Sequence, residues 1–195
     1  MAYIAKASNA GGFKSLNRYY DMLAGNATFV ENSYESIATV NGTGSAATLS
    51  LTSIPSTYQH LQIRGTVLTT AGGAGLVMNF NSDSSSNYAS HRLFGNGTSA
   101  VTGAQTSLTY LQYFGFSQAT SSTNPTNFVI DILDYASTSK YKTVRILLGH
   151  DANGSGEIGL YSGLWMSTSA LNRIDFGSGQ YYTTTTSFAL YGIKG

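Results

Sequence analysis

From residue 34 onward, apolar and polar side chains alternate in short runs, each closed by turn chemistry. A period of two sends successive side chains to opposite faces of a strand. The pattern predicts strands over 34–40, 47–54, 60–64, 76–80, 88–94, 108–116, 128–133, 143–148, 157–165, 171–176 and 187–193. Leu61, Ile63, Phe80, Ile130, Ile132, Val144, Ile146, Leu164 and Phe188 are the expected core. Asn41-Gly42 and Asn153-Gly154 are favoured hairpin dipeptides, the first joining 34–40 to 47–54. No helical pattern separates the runs, which excludes parallel βαβ units. The fold class expected is all-β: one antiparallel β-sandwich of jelly-roll type over residues 34–195.

Residues 1–33 have no such alternation and read as an N-terminal extended or short-helical arm. Leu16, Tyr19, Tyr20 and Leu23 fall on one face of a short helix, with Ser15 as N-cap and Gly25-Asn26 as stop. A helix this short is marginal alone in water, so the arm is expected to dock on something. Phe13, Leu16, Arg18, Tyr19, Tyr20 and Leu23 are its candidate assembly contacts.

Composition narrows the function. Charged residues are 10% of the 195, and the formal net charge is +1. That excludes a long coiled coil and argues against a nucleic-acid binder, which needs clustered Lys and Arg. The absence of cysteine excludes a disulfide scaffold, a thiolate metal site and a cysteine nucleophile. No apolar run is long enough to span a bilayer, so no membrane insertion is expected. The first residues carry no signal-peptide core, and the chain is expected to fold in a reducing cytoplasm.

Catalytic chemistry finds little purchase. His60, His91 and His150 show no metal-binding spacing, and no nucleophile elbow or phosphate loop occurs. Asp131 lies on the face opposite Ile130 and Ile132, so it reads as a solvated or hydrogen-bonded strand residue and not as half of an acid pair with Asp134. The segment 151–157 matches the start of a calcium loop, but Ser162 stands where the bidentate Glu belongs, and a hairpin turn is the better reading. The sequons at Asn26, Asn41, Asn96 and Asn153 read as turn residues. No metal or cofactor is expected. Tyrosine remains: it offers area, low entropy cost and a hydroxyl, and suits protein or carbohydrate contact. Tyr88, Tyr181 and Tyr182 are the candidate ligand contacts, with the polar loops 82–87 and 117–127.

Five tracts carry a resemblance: SYESIATV (33–40), LTSIPSTYQHLQIRG (51–65), DILDYASTSKYKTVR (131–145), IGLYSGLWMSTSALNRI (158–174) and SFALYGIKG (187–195). Together they resemble a module of tailed-phage virion and tail-fibre-like proteins common among phages of cyanobacteria and marine bacteria. NRYYDMLAGN (17–26) is similar to the leader that often introduces it. The resemblance implies a non-enzymatic particle component. With the low charge, the arm and the polar loops, the expectation is a tail or baseplate appendage, trimeric, bound to other virion proteins through its arm and able to touch host glycans. A capsid decoration protein is the alternative. A free carbohydrate-binding module or a glycan hydrolase is disfavoured, the latter by the lack of two suitably spaced carboxylates.

Overall fold

In a computed structural model, residues 24, 33–72, 75–114, 123–151 and 153–194 are described. The chain divides after Asn32, and everything below concerns the second unit, Ser33–Gly195. The candidate arm contacts Phe13, Leu16, Arg18, Tyr19, Tyr20 and Leu23 lie outside the described residues, as does most of loop 117–127.

Twelve strands are present among the described residues. They are β1 (Tyr34–Asn41), β2 (Thr48–Leu51), β3 (His60–Val67), β4 (Leu76–Phe80), β5 (Tyr88–Gly95), β6 (Ala100–Leu108), β7 (Leu111–Phe114), β8 (Thr126–Leu133), β9 (Lys142–Asp151), β10 (Gly156–Trp165), β11 (Ile174–Gly177) and β12 (Ser187–Ile193). They form an eight-stranded sheet, β1-β12-β3-β8-β9-β10-β5-β6, and a four-stranded sheet, β2-β11-β4-β7. Every strand pairing is antiparallel. The all-β, antiparallel expectation therefore holds.

The two sheets bury their apolar faces against each other in one core. Phe188 of the large sheet meets Phe176 of the small one at 4.8 Å between ring centroids, with Phe128 and Tyr182 beside them. A second aromatic group, Phe80, Tyr88 and Trp165, fills the other end. Leu61, Ile63, Phe80, Ile130, Ile132, Val144, Ile146 and Phe188 are buried as their alternation predicts.

Three expectations are corrected. Leu164 is only half-buried, because β10 turns Tyr161, Gly163 and Trp165 inward instead. Both faces of this strand are apolar, and the larger aromatic surface takes the core, where burial gains most. Gly163 is part of that choice: a Cβ there would come 2.8 Å from a Leu111 methyl. Second, Asn41-Gly42 makes no hairpin. β1 pairs with β12 and β2 with β11, so the chain changes sheets at Gly42, whose amide donates to the Thr186 carbonyl at 2.9 Å. Third, the strand expected over 108–116 is confined to β7, and β6 forms before it where the alternation predicts no strand; the β6 sequence, AVTGAQTSL, has almost no apolar alternation because little of it is buried. By contrast Asn153-Gly154 does turn the chain between β9 and β10, with φ of 56° and 98°.

Candidate functional site

The inward choice of β10 leaves its other face to solvent. On the outer side of the large sheet, Val129, Leu147, Leu160 and Leu93 are successive cross-strand partners, one from each of β8, β9, β10 and β5. They make an unbroken apolar row across four strands. Leu147 is 50% exposed, Leu160 55% and Leu93 48%, and Ile158 beside them reaches 65%. Directly opposed side chains on a sheet face touch, so the row is continuous surface rather than scattered leucines. Single exposed apolar residues need no explanation, but a contiguous group marks a contact site.

A polar row runs parallel to the apolar one: Gln62, Asp131, Arg145, Ser162 and His91 are again successive partners. Arg64 Nε donates to Gln62 Oε1 and Gln62 Nε2 to Asp131 Oδ1, both at 2.9 Å. Arg145 Nη2 stands 3.8 Å from Asp131 Oδ2. Asp131 is thus a hydrogen-bonded strand residue. The Arg64 guanidinium also lies over the rings of Tyr191 and Tyr34, at 5.5 and 5.9 Å. Between the rows the sheet's twist leaves a shallow groove of about 620 Å³, lined by His91, Leu93, Asp131, Arg145, Leu147 and Leu160 among others. Such a surface offers area and orientation. It presents the Asp131 carboxylate hydrogen-bonded to Gln62 beside Arg145. No protein-family model, curated protein or solved structure matches the chain.

The outer face of the small sheet is the control. Ser50, Asp175 and Asn79 stand in register there. Ser50 Oγ donates to Asp175 Oδ1 at 2.6 Å, and Arg173 Nε donates to both carboxylate oxygens. That face is polar and internally satisfied. The large sheet's carries an exposed apolar row, and the asymmetry singles it out.

The tyrosines divide. Tyr88 and Tyr182 are fully buried, which removes both as ligand contacts. The Tyr88 hydroxyl is spent within the core, donating to the Asp83 carbonyl at 2.9 Å and accepting from the Phe80 amide at 3.1 Å. Tyr181, 52% exposed, stays accessible. The remaining end of loop 117–127 borders a polar cleft of about 710 Å³ with Asn96, Asn127, His150, Asp151 and Glu157. His60 accepts the Asp134 amide at Nδ1 (3.0 Å). Among the described residues no three His, Asp or Glu gather where they could hold a metal ion.

Loop 82–87 is held to the core and does not project freely. Asp83 Oδ2 accepts from Trp165 Nε1 at 2.8 Å and Asn87 Nδ2 at 3.0 Å, and Oδ1 accepts the Ser85 amide at 2.9 Å. The Trp165 indole pulls the carboxyl down to about 2 from 3.8, opposed by burial and helped by Asn87 and Ser85. A depressed carboxyl stabilises the fold fully above its unfolded value and loses that contribution as pH falls through the folded one. We therefore expect stability to drop between about pH 4 and pH 2 by about 1 kcal/mol on this group's account, after allowing for its wet surroundings. Trp165 is the only tryptophan, so its fluorescence in acid and denaturant reads this directly. Asp83→Asn should flatten the slope; an unchanged slope refutes the assignment.

Proposed function

We propose that this chain is a non-enzymatic structural protein of a tailed-phage virion, a homotrimeric tail or baseplate appendage anchored by residues 1–33. The observation that carries the reading is the uncovered apolar row on the large sheet, a surface built for assembly. The resemblance of the five tracts supplies the particle. Its signature residues have a structural explanation: within S-I-P-S-T-Y-Q-H-L-Q-I-R (53–64) and L-Y-G-I (190–193), β3 and β12 are neighbours and Tyr58 packs beneath Gly192. They mark a fold that assembles and not a reaction centre.

The strand order supports the jelly-roll form of the sandwich. With the β5–β6 and β9–β10 hairpins set aside, β1-β12-β3-β8 faces β2-β11-β4-β7, the chain crossing between sheets at every step except β4 to β7, which are neighbours in the small sheet. Both hairpins extend the same edge of the large sheet, where the apolar row lies. Host-glycan contact is assigned to the polar cleft beside Asn96, Asn127 and His150, since loops carried by a rigid sandwich are suited to recognition.

Quantitative mass spectrometry of purified particles tests the reading. We expect the chain in the virion at a few copies per tail; many copies spread over the head would point to the decoration role, and absence from particles overturns the proposal. Deleting residues 1–33 should leave a soluble, folded β domain that no longer joins the particle. Normal incorporation of that truncated chain would remove the anchoring role.

A further inference from the structure

We infer that the outer face of β8, β9, β10 and β5 is the surface through which copies of this chain bind one another, around a symmetry axis that runs along the strands between β9 and β10. The inference deepens the self-assembling reading above and rests on it.

The pattern on the face is complementary to itself. An axis along the strands keeps each cross-strand row at its own height. It turns the β8–β9 side of one copy toward the β10–β5 side of the next. Val129 and Leu147 then meet Leu93 and Leu160 of the next copy, apolar against apolar, in the same row. One row along, Asp131 meets the next copy's His91, a carboxylate against a ring N–H donor. Ile158, the most exposed of these side chains, stands in the row of Gly149, where the lack of a side chain leaves room for it.

Charge agrees. The face carries Asp131 beside Arg145 and has no block of one sign that would call for an oppositely charged partner. Like-charge repulsion between copies is correspondingly small. Area sets how far the contact must extend. At about 4.8 Å between strands and about 3.3 Å per residue, four strands of eight residues present roughly 500 Å² and the whole eight-stranded face roughly 1,000 Å². A standard interface buries about 800 Å² per partner. The four strands alone fall short of that, so flanking strands must join the contact, with the apolar row toward the β6 edge and the polar row beside it.

Analytical ultracentrifugation and chemical cross-linking of the full chain test this. Wild-type protein at tens of micromolar should sediment as an oligomer, and Leu160→Lys or Leu147→Lys as a monomer with unchanged Trp165 fluorescence and a cooperative thermal transition that no longer depends on protein concentration. Because the chain has no cysteine, Leu160→Cys gives a single reactive thiol. A bismaleimide spanning about 10 Å, the spacing of packed sheets, should join copies through position 160. Thr48→Cys, on the exposed edge of the small sheet, should stay unlinked. The cross-link keeps the test decisive if a lysine variant fails to fold. A monomeric wild type overturns the inference and hands the face to another virion protein or to the chain's own N-terminal residues. So does an oligomer that survives Leu160→Lys with position 160 unlinked. Particle incorporation is scored separately, so a chain that self-associates through this face yet is missing from virions overturns only the virion reading. A dimeric mass with linkage at 160 supports the face and corrects the trimer.

Discussion

Replacing Gly192 by alanine should lower the thermal midpoint of the domain by roughly 5–10 °C, the equivalent of about 3 kcal/mol. The backbone of Gly192 is ordinary; the obstacle is the space in front of it. A Cβ would come 2.3 Å from Cγ and 2.4 Å from Cδ1 of Tyr58, deep in the ring and not at a flexible tip. The backbone that carries the ring is held in place. The Gln59 amide donates to the Ile193 carbonyl at 2.9 Å, and the Tyr58 amide donates to the Tyr135 hydroxyl at 3.3 Å. That hydroxyl in turn donates to the Pro55 carbonyl. Adding Tyr58→Ala should recover part of the loss, since the two sites share one contact and their effects are not additive. Calorimetry of the two single variants and the double variant measures the coupling. Strict additivity would show that the ring does not fix Gly192.

Lys142→Met should cost about 2–4 kcal/mol, although the apolar stem is nearly conserved. Lys142 is fully buried where β9 begins. Its ammonium donates to three backbone carbonyls: Ser137 at 2.6 Å, Lys140 at 2.8 Å and Ser167 at 3.4 Å. Methionine fills the space and leaves those part-buried carbonyls without this donor, and an unmet acceptor costs more the less water reaches it. Burial also pushes the ammonium below the ordinary lysine value. Below its unfolded value the native state then binds fewer protons than the unfolded one, so stability should rise with pH in the alkaline range up to about 10.5. Denaturant titrations of both proteins across alkaline pH check the two claims together. A variant as stable as wild type would mean that water serves the carbonyls equally well.

Much of the fold could be read from the chain, for a definite reason. β8 and β9 alternate cleanly, Phe128, Ile130 and Ile132 against Val144, Ile146 and Leu148, because one face is core and the other is open. Reading failed where that contrast fails. β6 is exposed on both faces and carries no period. β10 is apolar on both, so alternation defines two faces without saying which is inner, and Leu164 went to the wrong one. Asn-Gly specifies a local bend but not the strand that follows it, which is why Asn41-Gly42 crosses sheets while Asn153-Gly154 closes a hairpin.

The candidate surface was missed through the same ambiguity. Tyrosine attracted attention because its hydroxyl suits recognition, yet Tyr88 and Tyr182 use their bulk to fill the core. The available signal was a strand too apolar for its place. In an antiparallel sheet with one wet face, Ile158, Leu160 and Leu164 alternating with Tyr161 and Trp165 leave one apolar set without a core.

The strand order also governs when the protein can fold. β12 lies between β1 and β3, the last strand to be synthesised inserted between two of the earliest. A growing chain therefore holds β1 and β3 without their shared neighbour until nearly all of the domain has emerged from the ribosome. The hairpins β5–β6 and β9–β10 need no such wait, for each pairs strands adjacent in sequence. Closure through distant pairings is slow, and during that delay Leu147, Ile158 and Leu160 lie on two strands whose pairing is local in sequence. On polysomes translating many copies at once, these apolar side chains bring nascent chains together before any one of them has finished its own core.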